Sequence, residues 1–163
     1  MWSEFLDLFD SRQFVVVFPG RAAVLRLAGT SGCLDIFSAY LPTGDSTHAD
    51  DVKEAGYDPS GRVVSNFALR DAVLRRIALQ VRPREQTMSL IVGDLNSVTC
   101  DADRMCTSSV AVTGSRDHRD ESRWKTLFWG ALGMHELHQP EPTYASPNFR
   151  SRLDRVFLQP IRD

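Results

Sequence analysis

Met88-Ser89-Leu90-Ile91-Val92-Gly93-Asp94-Leu95-Asn96 is the stretch that decides how this chain is read. Met88 to Val92 is a short apolar run between polar segments, the pattern of a strand buried on both faces. Gly93-Asp94-Leu95-Asn96 follows at once, so a buried strand ends by presenting a carboxylate and a carboxamide two residues apart. Alternation in an extended chain puts Asp94 and Asn96 on the same side. A carboxylate there can hold a hard divalent cation or orient a water. An asparagine beside it can donate to a phosphate oxygen without adding negative charge. Glycine, aspartate and asparagine are also turn formers, and the same four residues read equally well as a plain turn.

Working outward, the segment before this strand is the best helix in the chain. Over Ser65 to Val81, Leu69, Val73, Leu74, Ile77, Ala78 and Val81 recur at three- and four-residue spacing. Arg70, Arg75 and Arg76 lie off that stripe, and Pro83 stands just past its end. Asp45 to Gly61 is polar and reads as a surface loop. Ala22 to Leu27 and Leu34 to Tyr40 read as strands joined by the hairpin signal Gly29-Thr30-Ser31-Gly32. Phe14 to Phe18 is a further β-rich run, broken by Pro19-Gly20. Near the start, Ser3 is placed to cap a short helix with Phe5, Leu6 and Phe9 on its apolar face.

Downstream, Val98 to Arg119 is long, polar and without periodicity. Glu121 to Leu132 reads as a second helix with Trp124, Leu127, Phe128, Ala131 and Leu132 on one face, stopped by Gly133. Glu136 to Ala145 is extended with two prolines, and Leu153 to Leu158 is a final strand. Interspersed strands and helices argue for layered α with β, and the early hairpin argues against an all-parallel sheet.

Composition bounds the functional classes. The 163 residues are 42% hydrophobic and 25% charged, ordinary for one globular domain and wrong for a disordered tail, a collagen-like repeat or a coiled-coil rod. A net charge of −2 excludes a strongly basic nucleic-acid binder, so any contact with nucleic acid falls to local patches. Lys53 and Lys125 are the only lysines among 19 basic residues, the rest being arginines; arginine suits phosphate recognition, but an excess spread over a whole chain identifies no site. Cys33, Cys100 and Cys106 cannot all pair within the chain and lack the spacing of a zinc ribbon, which fits a reducing compartment. No apolar run approaches membrane-spanning length. Met1 to Asp10 carries Glu4, Asp7 and Asp10 without a basic residue, the wrong charge for a targeting peptide. The expected location is intracellular, nuclear or cytoplasmic.

Two more features bear on chemistry. Tyr40-Leu41-Pro42-Thr43-Gly44 closes a strand, and a tyrosine held there by proline can aim its hydroxyl at a phosphate; alone, it reads as a half-buried core tyrosine. In Ser151-Arg152-Leu153-Asp154-Arg155-Val156 an aspartate stands in a β run, costly unless it is paired or hydrogen-bonded. That favours orienting a histidine or a metal-bound water, against a plain edge aspartate facing water. His135 and His138 have the i, i+3 spacing of a ligand pair, but they follow Gly133 and read as ordinary residues entering a strand.

Taken in order, Tyr-x-Pro-x-Gly, Gly-Asp-x-Asn after a buried strand, Thr143-Tyr144 and Ser-Arg-x-Asp-Arg-Val-Phe resemble the endonuclease/exonuclease/phosphatase superfamily, the DNase-I-like fold. The flavour is that of non-LTR retrotransposon endonuclease domains and apurinic endonucleases. Pro19-Gly20-Arg21 and the approach Pro140-Glu141-Pro142-Thr143-Tyr144 look like the same members. The resemblance spans about Phe14 to Leu158.

The resemblance implies an α/β (α+β) class, part of a four-layered sandwich with two mainly antiparallel sheets flanked by helices, with residues 1–163 as a single partial domain. It implies a magnesium- or manganese-dependent phosphoesterase, foremost an endonuclease acting on DNA. By the same resemblance Asp94 orients or deprotonates the attacking water near the metal, Asn96 steadies the phosphate beside it, Tyr40 contacts the phosphate and Asp154 pairs with a catalytic histidine. Asp94 and Asn96 are the implied residues at the metal. The metal-binding glutamate on an earlier strand and the terminal Ser-Asp-His are unmatched; Glu4 and Asp117-His118 are weak stand-ins. Three expectations therefore stand beside one another: a nuclease fragment, a non-catalytic remnant, and a phosphatase acting on phosphoinositide, sphingolipid or nucleotide. A partial sandwich is also expected to show an unpaired sheet edge and an exposed apolar face, with poor solubility. Oligomeric state and the role of residues 98–119 stay open.

Overall fold

The computed structural model describes residues 2–42, 66–98, 103–106, 122 and 124–162. A short helix α1 (Trp2–Leu6) precedes β1 (Ser11–Phe18), β2 (Ala22–Gly29) and β3 (Gly32–Tyr40). Helix α2 (Asn66–Gln80) leads into β4 (Thr87–Asp94) and a short β5 (Arg104–Cys106). A π-helical segment (Trp124–Gly130) is followed by β6 (His135–Glu136), β7 (Tyr144–Ala145), β8 (Phe149–Ser151) and β9 (Asp154–Gln159). The strands form a six-stranded sheet in the order β1-β2-β3-β4-β9-β6 and a three-stranded sheet β5-β8-β7.

Among the described strands of the large sheet, β3 and β4 run parallel and the other pairs are antiparallel. The parallel pair follows from the connection, since α2 carries the chain back across the sheet before β4 begins. The hairpin expectation holds: Gly29 pairs with Gly32 around Thr30 and Ser31.

Register explains the core. Val24, Phe37, Ile91 and Phe157 stand side by side across four strands and are all buried. Leu69, Val73, Leu74 and Ile77 of α2, with Trp124 and Phe128, close over this row. Trp124 lies flat on Phe157, with centroids 4.4 Å apart and planes 6° apart. Such stacked burial adds to the ordinary hydrophobic gain of each ring. The turn from α2 into β4 is tied down by Arg82, whose Nε and Nη2 donate to the fully buried Asp35 carboxylate at 2.9 and 2.5 Å. Burying a carboxylate is costly without a partner, and the bidentate guanidinium compensates that cost.

Four expectations change. The first helix begins at Trp2, so Ser3 lies inside it and cannot be its cap. The segment around Phe128 is π-helical rather than α-helical, with Ala131 N–H donating to the Thr126 carbonyl five residues back at 3.3 Å. A four-residue step such as Trp124 to Phe128 falls between the α and π repeats, so spacing over two turns does not separate them. Within the polar stretch from Val98 to Arg119, β5 forms a strand against β8. Strand β4 is covered on one face only: Ser89 and Ile91 are buried, while Leu90 and Val92 are half-buried. The loop read over residues 45–61, Cys100 and Asp117-His118 lie outside the described residues.

The uncovered face continues to β1, the edge strand. Phe14 is 69% exposed and Val16 57%, and both line an open groove of about 340 Å³ with Tyr40. An apolar edge strand is a template for pairing between chains. The Val16→Lys variant should scatter less light on concentration than the parent, with a stability change in the ordinary range for a surface substitution, about ±0.5 kcal/mol. Equal scattering from both proteins would show that this edge does not drive association.

Candidate active site

The site begins with a glycine. Ala39 of β3 pairs with Gly93 of β4 in parallel register, and Gly93 has φ +144, a conformation side chains rarely adopt. A Cβ at Gly93 would overlap the backbone carbonyl of Ala39, which cannot swing aside. The close approach puts Tyr40 opposite Asp94, and on the other side of β4 Asp94 is opposite Asp154 of β9. Three of the four residues expected to carry chemistry therefore share one row across three adjacent strands. Gly93→Ala should cost about 2–3 kcal/mol from backbone strain and displacement of β3, read as a lowered urea midpoint.

The chain then turns. Asn96 has φ +44, and its N–H donates to Asp94 Oδ1 at 3.0 Å. Its Nδ2 donates to the Leu41 carbonyl at 2.7 Å, fastening the turn to the end of β3. Asp94 and Asn96 line the same cleft, as alternation suggested, but the cause is an Asx-type turn and not an extended strand. The tetrapeptide is thus a turn, and the turn brings two polar side chains to one cleft. Arg70, from the first turns of α2, donates to the Asn96 carbonyl at 3.0 Å and the Leu95 carbonyl at 3.3 Å.

Burial raises the Asp94 carboxyl above its ordinary range, and the neighbouring Asp154 charge adds to this. The Asn96 backbone and side chain and the Arg70 charge pull the other way. The net upward direction marks Asp94 as a better proton acceptor than an exposed aspartate.

The cleft has a volume of about 470 Å³ and is lined by Tyr40, Asp94, Asn96, Arg104, Tyr144, Phe149 and Leu153. Tyr40 is half-exposed, and the Arg21 guanidinium lies 5.5 Å from its ring centroid. Asp154 sits beside the cleft, exposed, and is not among these lining residues. Thr143 Oγ1 accepts from the N–H groups of Leu153 and Asp154, both at 3.0 Å, which joins the Thr-Tyr element to the last motif. Among the described residues no group of three or more His, Cys, Asp or Glu side chains gathers as a metal cage.

Behind the site lies a buried charge network that the sequence did not reveal. Arg155 is fully buried and donates to Asp103 at 2.5 Å, Glu136 at 2.8 Å and the Ser97 carbonyl at 2.9 Å. Arg152 donates to the other Asp103 oxygen at 2.6 Å and meets His138 Nδ1 at 2.9 Å. The bond to Ser97 anchors the segment just after Asn96. Attention in Ser-Arg-Leu-Asp-Arg-Val goes naturally to the aspartate, yet its two arginines are the buried groups and Asp154 is the exposed one. His135 is exposed on β6, an ordinary strand residue. Arg70, Arg104 and Phe149 carry no sequence signal that separates them from surface residues, and only their convergence marks them; Tyr144 stands in the Thr-Tyr motif.

No protein-family model matches this sequence, and a comparison with curated proteins finds no match. Solved structures do match. The chain superposes on the endonuclease domain of TRAS1, a telomere-specific non-LTR retrotransposon, with TM-score 0.52 and 18% identity over 93% of this chain and 56% of that one. It superposes on an AP endonuclease from Archaeoglobus fulgidus with TM-score 0.55 and 13% identity, over 93% and 58% of the two chains. A third match is the inositol polyphosphate 5-phosphatase domain of SPsynaptojanin in complex with inositol (1,4)-bisphosphate and calcium ion: TM-score 0.57, 14% identity, 97% of this chain and 49% of that one. The chain has the DNase-I-like fold. It spans about half the length of the solved chains it matches. The superfamily resemblance read from the motifs agrees with this fold, and the mixed α/β content with two sheets is the expected class. Among the described residues no helix is long and apolar enough to cross a membrane.

Proposed function

We propose that this chain carries the phosphate-handling half of a divalent-metal-dependent phosphoesterase of retroelement endonuclease type, with DNA phosphodiester bonds as substrate. The observation that supports this most is the shared row of Tyr40, Asp94 and Asp154, with Asn96 turned into the same cleft as Asp94. Two adjacent carboxylates and a carboxamide are hard oxygen donors, and the repulsion between Asp94 and Asp154 is relieved by a dication, so the residues present fit magnesium or manganese. Magnesium binds through one or two carboxylates and keeps several waters, so a cage of protein ligands is not required. Asp94 and Asn96 would hold the ion, which when bound supplies Lewis-acid stabilisation of the phosphoryl oxygens.

The chain's own groups divide the remaining work. Asp94 orients the attacking water and accepts its proton. Asn96 gives its carboxamide N–H groups to the Leu41 carbonyl and to the Asp94 carboxylate, and so holds that carboxylate in place beside the phosphate. Tyr40 donates from the neighbouring strand, in place before charge develops. Asp154 stands beside Asp94 in the same row and is exposed to water, where a histidine partner would dock.

The test is a nicking assay on supercoiled and abasic plasmid with magnesium titrated, using the parent chain and Asp94→Ala. Magnesium-dependent nicking that the variant loses supports the reading. No nicking in either protein favours a non-catalytic remnant. The match to a phosphatase domain seen with an inositol bisphosphate favours one alternative, so phosphate release from inositol polyphosphates is measured in parallel; release without nicking replaces the DNA reading.

A further inference from the structure

We infer that the cavity between the α2–β4 turn and the end of the π-helical segment is a binding site for a small zwitterion, an apolar α-amino acid or a dipeptide of such residues. It lies at the end of the large sheet away from Tyr40, Asp94 and Asp154. Strand β4 begins at Thr87, two residues after Glu85 of this cavity, and reaches the candidate active site at Asp94, a separation of roughly 23 Å. The inference goes beyond the phosphoesterase reading and does not depend on it.

The cavity has a volume of about 410 Å³, inside the range of small-molecule sites, and Val81, Pro83, Ala131 and Leu132 give it an apolar wall. Two polar side chains in it are held in place. Gln159 is 3% exposed; its Nε2 donates to the Leu132 carbonyl at 2.6 Å, and its Oε1 is buried without a hydrogen-bond partner. A buried carbonyl oxygen lacking a donor is costly, so this is the end of the carboxamide left to be matched. Arg84 lies against Gly133, with Nη1 2.7 Å from where a Cβ would stand. Gly133 has φ +62, so glycine supplies both the turn and the room for the guanidinium. The Arg84 carbonyl accepts from the Arg162 N–H at 3.0 Å, which fixes its backbone to the segment after β9. Such preorganisation lowers the ordering cost of binding.

Charge balance selects the occupant. Arg82 also lines the cavity, but its guanidinium is given to Asp35. Among the described residues Arg84 and Glu85 have no ion-pair partner, although they are adjacent in sequence. The cavity therefore holds one unmatched charge of each sign and one unmatched acceptor. A carboxylate suits the fork of Arg84. An ammonium carries only donors, which suits the Glu85 carboxylate and Gln159 Oε1. An apolar side chain between them covers the aliphatic wall. A phosphate ester would bring its negative charge beside Glu85 and offer that carboxylate no cation. An uncharged apolar molecule would leave all three groups unmatched. A zwitterion with an apolar side chain answers each of them.

The test is an amide chemical-shift titration of the isotope-labelled chain with L-leucine, N-acetyl-L-leucine, L-leucinamide and adenosine monophosphate. Leucine should move the amides of Arg84, Leu132 and Gly133, leave Asn96 in place, and saturate with a dissociation constant of about 0.1–1 mM, as expected for a ligand of this size. N-acetyl-leucine lacks the cation and leucinamide the anion, so each should bind at least about tenfold more weakly. Arg84→Ala should lower leucine affinity about tenfold, and Arg84→Lys should recover part of the loss. No leucine-dependent shift at about 10 mM, where such a site would be nearly filled, overturns the site. So does equal binding of N-acetyl-leucine, tighter binding of adenosine monophosphate, movement of Asn96 in place of Gly133, or indifference to Arg84→Ala. The four ligands on the parent chain decide the matter even where a variant folds poorly. Arg84 is remote from Asp94, so Arg84→Ala should nick DNA as the parent does, and the nicking assay bears on the phosphoesterase reading alone.

Discussion

Asp94→Asn should do two opposite things: lower metal-dependent hydrolysis by about two to four orders of magnitude, and raise stability at neutral pH. The first follows from removing the proton acceptor, since a positioned acid or base contributes factors of this size. The second follows from linkage. Burial and the Asp154 charge raise the Asp94 carboxyl, so the folded chain holds that proton more tightly than the unfolded chain does. The ionised carboxylate therefore costs the folded state stability. The cost is absent below the ordinary carboxylate range, grows as pH rises through the raised value, and is constant above it. A neutral asparagine carries no such cost, and its oxygen can still accept from the Asn96 N–H. Much of the group is open to solvent, so the gain is small. The check is a pair of thermal melts in EDTA, one near pH 7 and one near pH 3. The stability difference in favour of the variant should appear at pH 7 and vanish at pH 3. A variant that hydrolyses normally, or is less stable than the parent at pH 7, would show that Asp94 is a structural turn residue.

Asp103→Ala should cost about 3–5 kcal/mol, the range for removing one partner of a buried ion pair. Asp103 and Arg155 are both fully buried, and Asp103 accepts from Arg155 and from Arg152 on its two oxygens. Without it, two buried guanidinium groups lose a shared carboxylate and keep Glu136, which contacts Arg152 at 3.0 Å and Arg155 at 2.8 Å, beside the Ser97 carbonyl and His138. Most of the loss is the cost of uncompensated buried charge, not the worth of the pair. The combination Asp103→Leu with Arg155→Met should consequently lose less than Asp103→Ala alone. Urea denaturation of the three proteins measures both quantities. A loss under about 1 kcal/mol for Asp103→Ala would place the network at a solvated surface. The site should feel the change as well, because Arg155 holds the Ser97 carbonyl directly behind Asn96.

The parts of the fold that were legible in the sequence are those set by local pattern. Strand β4, the β2–β3 hairpin and helix α2 each announce themselves by period or by turn residues, and each is found within a residue or two. The π-helical segment and β5 were not legible, for different reasons. The first has a spacing that suits two helical periods. The second is a three-residue strand with no pattern of its own, and it exists through pairing with β8.

The candidate site divides along the same line. Local sequence determines the Asx-type turn at Asp94 and Asn96 and the glycine that precedes it, because these depend on what two or three neighbouring residues can do. Tyr40, Asp94 and Asp154 come together only through the register of β3, β4 and β9, which long-range hydrogen bonding decides. Arg104, Tyr144 and Phe149 join the cleft through a second sheet, and Arg155 is buried only because Asp103 and Glu136 arrive from distant segments to compensate its charge. Residue type and spacing state what a side chain can do. Which charges share a low-dielectric interior, and which rings share a wall, depends on contacts far apart in the chain, and the tertiary structure alone decides those.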